Sequence, residues 1–218
     1  MKLPIRNRQL AGQALAQELA SRIDREDLLI LALPRGGVPV AYELAVKFDV
    51  PLDLMLVRKL GTPGYVELAM GAIASGGVRV LNEDIVSSLG ITSEVIDKVS
   101  REEEKELARR EQVYRGKRPR PKIENQQVLL VDDGIATGAT MRAAIAALRQ
   151  QKPRRIIIAV PVAPPDTIRL LRNEADEVVC LATPEPFMAI GNWYADFNQV
   201  TDEEVRQLLT DRWESTSQ

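Results

Sequence analysis

The sequence predicts an α/β protein built on a doubly wound, mainly parallel sheet flanked by helices. Three observations carry this expectation. Short apolar runs recur along the chain, each too short for a helix and rich in leucine or β-branched residues, as in strands buried on both faces. Stretches with apolar residues at helical spacing alternate with them, the order that builds parallel sheets through right-handed crossovers. Turn residues stand where strands should end, Pro34 after the first run and Gly134 and Gly138 after a later one.

The elements follow in order. Residues 9–23 place Leu10, Ala14, Leu15, Leu19 and Ile23 on one side of an amphipathic helix. Leu28-Leu29-Ile30-Leu31-Ala32-Leu33 reads as a buried strand stopped by Pro34, residues 38–48 as a helix and 52–57 as the next strand, a βαβ unit. Residues 58–77 change to a Gly- and Pro-bearing pattern, read as a long flexible loop with a small antiparallel pair that includes Val78-Arg79-Val80-Leu81. Residues 93–114 read as a solvent-bridging helix, and the basic run 115–122 as a solvated connector. The strand Val128-Leu129-Leu130-Val131, a helix from Thr140, a strand over 155–160, a helix over 166–173 and a strand over 177–181 complete the alternation. The whole, 1–218, suits a single domain.

Composition narrows the chemistry. A chain 45% hydrophobic and 28% charged is ordinary for a globular protein, and its net charge of −2 argues against broad attraction to nucleic acid or anionic membrane. The N-terminus has no signal core and no apolar run reaches spanning length, so the expected location is the cytoplasm. The one cysteine, Cys180, lies in an apolar run and cannot form an internal disulfide. With no histidine, His bases, Ser-His or Cys-His nucleophiles and His-bound zinc are excluded. What remains is carboxylates, Lys, Arg, Tyr, or a metal on oxygen ligands.

The most informative stretch is Val128-Leu129-Leu130-Val131-Asp132-Asp133-Gly134-Ile135-Ala136-Thr137-Gly138-Ala139-Thr140. It joins a buried strand, two adjacent carboxylates and a small-residue turn that opens a helix. Unpaired amides and the positive dipole end favour a phosphate at that helix start. The carboxylates would repel the same phosphate, so they make sense facing hydroxyl donors or a metal beside it. A plain Asp-Gly turn is the blander alternative, but it leaves Thr-Gly-x-Thr at the helix start unexplained.

This arrangement resembles the signature of the type I phosphoribosyltransferases. There an acidic pair holds the ribose hydroxyls of phosphoribosyl pyrophosphate (PRPP) and the following loop holds its 5′-phosphate. The similarity spans residues 8–205 and is greatest to bacterial members carrying Pro-Arg-Gly-Gly, Arg-Lys-Leu-Gly and Asp-Asp-Gly-Ile-Ala-Thr-Gly-Ala-Thr. Two departures stand out: Gly134 replaces the usual aliphatic residue after the acids, and Tyr65-Val66 replaces an Asn-Pro pair.

The resemblance implies Mg²⁺-dependent transfer of a phosphoribosyl group from PRPP to a nitrogenous acceptor that the sequence does not identify, releasing pyrophosphate. Asp132 and Asp133 would hold the ribose, and Ala136, Thr137, Gly138, Ala139 and Thr140 the 5′-phosphate. Arg35, Gly36 and Gly37, with Arg58 and Lys59 at the start of a flexible catalytic loop, would take pyrophosphate. Lys59 joins the acid pair as a catalytic candidate. Mg²⁺ would be held mainly through PRPP, with no dedicated protein ligands. A small C-terminal hood, about 183–200, contains Phe187, Trp193, Tyr194 and Phe197, and Phe187, Trp193 and Tyr194 would form an acceptor-stacking platform unless the cluster only packs on the sheet. A homodimer follows by analogy. The rival from another class is a non-catalytic PRPP-sensing regulator that binds RNA or a protein partner through 115–122. A phosphoacceptor receiver domain is disfavoured, because its acid pair follows the first strand.

Overall fold

A computed structural model describes residues 2–216, apart from the side chains of Val66, Glu67 and Thr216; Met1, Ser217 and Gln218 of the expected 1–218 domain lie outside it. The elements run α1 (Arg8–Leu19), β1 (Leu28–Ala32), α2 (Gly37–Phe48), β2 (Leu52–Leu54), β3 (Val57–Thr62), β4 (Tyr65–Ala74), β5 (Val78–Leu81), α3 (Glu83–Ser88), α4 (Ser93–Arg115), β6 (Gln127–Val131), α5 (Ala139–Gln150), β7 (Arg155–Val162), α6 (Pro165–Leu171), β8 (Glu177–Ala182) and α7 (Asp202–Thr216). Five strands form a parallel sheet in the order β2-β1-β6-β7-β8. The doubly wound expectation holds.

The unbroken apolar runs have a physical reason. Successive side chains on a strand point to opposite faces, so each run feeds two cores at once. Ile30, Ala32, Leu129, Val131, Ile157 and Ala159 pack with α1, α2 and α7. Leu29, Leu31, Val128, Leu130, Ile156 and Ile158 pack with α5 and α6.

Residues 58–77 are a correction: they are strand, not loop. β3, β4 and β5 form an antiparallel three-stranded sheet beside the main one. The glycines that suggested a loop mark its turns, with Gly64, Gly76 and Gly77 at positive φ. Gly71 is where β5 passes so close that an added Cβ would sit 2.4 Å from the Val80 carbonyl oxygen. Leu60, Met70 and Ile73 are buried against α4, whose Ile96, Leu107 and Tyr114 are buried in turn. α4 therefore packs along its length rather than bridging solvent. The expected strand 52–57 is divided, ending at Leu54 and resuming as β3.

The basic connector is also built in. Arg115 is buried and donates from Nε (3.0 Å) and Nη2 (2.6 Å) to Asp53 Oδ1; Arg120 pairs with Glu111, and the Arg118 guanidinium lies 4.7 Å from the Trp213 ring centre. These contacts close an exposed edge. β2 is the border strand, and its carbonyls at Leu52 and Leu54, with that of Val50 just before it, accept from Trp213 Nε1 (2.8 Å), Arg115 Nη2 (3.2 Å) and Arg212 Nε (3.0 Å) respectively. An edge capped in this way cannot recruit a foreign strand. α7, which supplies two of the three donors, is absent from the sequence reading. Its signal was a capping box: Glu204 N–H donates to Thr201 Oγ1 (3.1 Å) and Thr201 N–H to Glu204 Oε2 (2.7 Å).

Removing one partner of the Asp53–Arg115 pair strands a buried charge, so Arg115→Met should destabilise by about 3–5 kcal/mol, and removing both charges with Asp53→Leu should recover much of the loss. Urea unfolding of the three proteins measures this. Equal stability of Arg115→Met and wild type would show the pair to be idle.

Candidate active site

The site forms where β1 and β6, hydrogen-bonded neighbours, both end. Leu33 N–H donates to the Val131 carbonyl (2.9 Å), and the chain then turns through Pro34, Arg35 and Gly36 into α2. Asp132 and Asp133 follow β6. The contact between the two loops is closer than any side chain allows. A Cβ on Gly36 would lie 1.9 Å from Asp133 Oδ2, and one on Gly37 would lie 2.7 Å from the Val131 carbonyl oxygen and 2.9 Å from Asp132 Cα. The glycines are thus required by the acid pair itself. Gly37 N–H is already given to Leu33 O (3.1 Å), so it is not a free anion donor.

The acids are held in a costly state. Asp132 Oδ1 accepts from the Asp133 N–H (2.8 Å), and Asp133 Oδ2 accepts from Arg8 Nε (2.7 Å). Burial, and then the neighbouring Asp133 charge, pushes the Asp132 carboxyl well above the usual carboxylate range. Burial also raises Asp133, against the opposing pull of Arg8. Tyr194 donates its hydroxyl to the Asp133 carbonyl at 2.6 Å.

Beside the pair, Ile135 is anchored by its N–H on Val162 O (2.9 Å), and the turn 136–140 rises into α5. Ala136, Thr137, Ala139 and Thr140 are exposed, while Gly138 is buried at φ 77° with Thr167 packed behind it. Thr167 Oγ1 donates to Ala136 O (2.9 Å), fixing the turn from the α6 side. Among the described residues, no backbone acceptor takes the N–H groups of Thr140 or Met141. That is the open helix start an anion would use. Gly134 also has an explanation: an added Cβ would meet Ile190 Cγ2 at 2.6 Å, so a hood isoleucine stands in its space.

The predicted residues separate into those brought together and those that are not. Asp132, Asp133, Gly36, Gly37 and the turn 136–140 converge at one sheet edge, and Arg35 lines the same cleft, its Nη1 3.5 Å from Asp202 Oδ1. Arg58 is instead paired through Nε with Glu103 of α4 (2.6 Å), and Lys59, the next residue of β3, is exposed, its ammonium making no hydrogen bond or ion pair among the described residues. The aromatic segment mostly packs. Tyr194 is buried with Ile5 and Val162, so it offers no free ring face, and Phe187 and Trp193, 6.0 Å apart, cover the same cluster. Phe197 lines the cleft, an open cavity of about 370 Å³ bounded by Arg8, Arg35, Gly36, Asp133 and Gln199. Arg8 and Asp202 were not anticipated: both join the site from distant parts of the chain. A larger cavity of about 430 Å³ lies at the start of β2 beside Arg118 and Trp213, away from the strand carboxyl ends.

Since burial favours the protonated acids, the stability they contribute is complete below the unfolded value of about 4 and is lost as pH rises through their elevated folded values. Asp132→Asn keeps an acceptor oxygen for the Asp133 N–H but removes the charge. It should melt above wild type at neutral pH, by roughly 2–4 °C per kcal/mol relieved, and the difference should shrink in acid. A lower melting point at neutral pH would contradict the electrostatic account.

Known proteins resemble the chain in sequence and in fold. Residues 65–189 match the model of the phosphoribosyl transferase domain family. Proteins from two strains of Mycobacterium tuberculosis that carry the provisional name phosphoribosyl transferase are 46% identical over 199 residues, a match spanning 91% of this chain and 45% of theirs. The chain therefore spans less than half the length of the curated relatives it matches. The crystal structure of TT1426 from Thermus thermophilus superposes with a TM-score of 0.87 at 40% identity, covering 95% of this chain and 98% of that one. The paired acids on a glycine loop, the open helix start and these similarities establish that the chain belongs to the type I phosphoribosyltransferase family.

Proposed function

We propose that the protein transfers the phosphoribosyl group of PRPP to a nitrogenous acceptor. The observation that carries this is the convergence of Asp132–Asp133, the 35–37 loop and the 136–140 turn at one sheet edge. In the reaction the acceptor nitrogen forms a bond to the anomeric carbon as the bond to pyrophosphate oxygen breaks. The acceptor proton leaves to solvent, and positive charge builds on the ribose ring meanwhile. Asp132 and Asp133 accept the ribose hydroxyls and favour that charge, more strongly in a buried site than in water. The amides and hydroxyls of 137–140 take the 5′-phosphate, and Arg35 faces the pyrophosphate.

Mg²⁺ would be carried mainly on the phosphate oxygens of PRPP, as a hard cation that favours oxygen donors. So bound, it would supply charge neutralisation on the pyrophosphate side, where Arg35 of this chain also stands. An RNA-reading role for 115–122 is less well supported, because Arg115, Arg118 and Arg120 are engaged within the protein.

Isothermal calorimetry with PRPP and Mg²⁺ should show binding by wild type. Asp133→Asn should weaken it about ten- to a hundred-fold, the loss of charge-assisted bonds of about 1.5–3 kcal/mol. Gly36→Ala should do the same by displacing the carboxylate. Absence of wild-type binding would end the proposal. For the acceptor, Phe197 is the hood ring that lines the cleft; with Arg8 over it at 3.9 Å and Tyr194 packed 4.9 Å away, it would bound the acceptor rather than offer a bare stacking face. Once a base panel with mass detection has identified a substrate, Phe197→Leu should raise its KM. Trp193→Ala should cost stability of about 3 kcal/mol and leave acceptor KM unchanged; the reverse pattern would restore the platform at 187–194.

A further inference from the structure

Asp133 is gripped by residues that the resemblance did not single out. Arg8, the first residue of α1, gives Nε to Asp133 Oδ2 at 2.7 Å and Nη1 to the Asn198 carbonyl at 2.8 Å, and its guanidinium carbon lies 3.9 Å from the Phe197 ring centre. Three groups therefore fix one guanidinium. The segment before α1 is itself joined to the hood: Ile5 N–H donates to Trp193 O (2.8 Å), Ala195 N–H to Ile5 O (2.7 Å) and Asp196 N–H to Arg6 O (3.0 Å). The same unit sends the Tyr194 hydroxyl to the Asp133 carbonyl. Side chain and main chain of one acid are thus both held from a single clamp.

We infer that Arg8 is a positioning residue for the proposed transfer: it fixes the Asp133 carboxylate through one oxygen, leaves the other for a ribose hydroxyl, and ties that acid to the hood beside the acceptor cleft. This rests on the PRPP reading above. An ammonium could keep the charge but could not serve Asp133 and Asn198 from a rigid plane while stacking on Phe197. Among the described residues, no other cation bonds to Asp133. The charged and titratable groups facing Asp133 are Asp132 from its own loop, Arg8 from α1, the Tyr194 phenol from the hood and Arg35 across the cleft; Glu204 of α7 acts on Arg8. Of these, Arg8 is the cation in direct contact, and it opposes the effect of burial.

The test is calorimetry of PRPP with Mg²⁺ across mildly acidic to mildly alkaline pH, on the 218-residue chain as wild type, Arg8→Gln and Arg8→Lys, each checked for folding by melting. Arg8→Gln should weaken binding about ten-fold at neutral pH and move the acid limb of the binding profile to higher pH. Arg8→Lys should return the limb toward wild type while recovering only part of the affinity. Equal affinity in Arg8→Gln and wild type overturns the inference, and so does a loss that is uniform across pH. If Arg8→Gln fails to fold, Arg8→Lys decides: wild-type affinity in that variant overturns the inference. Wild type that binds no PRPP overturns the functional reading, whereas wild type that binds beside unaltered Arg8 variants overturns the inference alone.

Discussion

Two loops meet at the carboxyl ends of β1 and β6 with no space for a β-carbon between them. Because Ala32 pairs with Val131, whatever follows those residues is forced together, and Gly36 and Gly37 let the chain lie directly on Asp132 and Asp133. The rest of the molecule can be understood as support for that contact. The two apolar cores hold β1 and β6 in register, α2 begins at Gly37, and α5 begins at the end of the turn that leaves the acid pair. A parallel sheet gathers loops from distant sequence at one edge, which is why ligand sites on such folds lie there.

That arrangement is electrostatically unfavourable on its own. Two carboxyls taken from water beside each other resist ionisation, and the fold tolerates them because Arg8 and the Asp133 N–H offset part of the cost. Strain of this kind at a functional site is expected where a ligand is to supply the missing partners. By contrast Cys180, whose thiol burial pushes up to about 11, and the buried Asp53–Arg115 pair lie away from the acid pair and serve packing and the sheet edge.

What the sequence made legible was local. The acid pair, the Thr-Gly-x-Thr turn and the strands beneath them lie within one continuous stretch, so spacing alone revealed their relation. The three-stranded sheet was hidden because its turn glycines, and Gly71 under Val80, look like loop composition when only periodicity is consulted. Arg8 reaches Asp133 across 125 positions, and no local pattern marks it. Phe197 and Tyr194 were noticed as aromatics, but only packing distinguishes the ring that lines the cleft from the one whose hydroxyl supports Asp133. Gly134, a departure from the family pattern, is matched by Ile190, a compensation visible only once the hood is placed.

The central claim is that the paired acids accept ribose hydroxyls while the neighbouring turn holds a phosphate. A crystal structure with PRPP and Mg²⁺ tests it most directly. The account predicts ribose oxygens within hydrogen-bonding distance of Asp132 and Asp133, and the 5′-phosphate on the amides of 137–140. PRPP seated elsewhere, as in the cavity beside Arg118 and Trp213, with Asp133 still held by Arg8 and the turn empty, would contradict it.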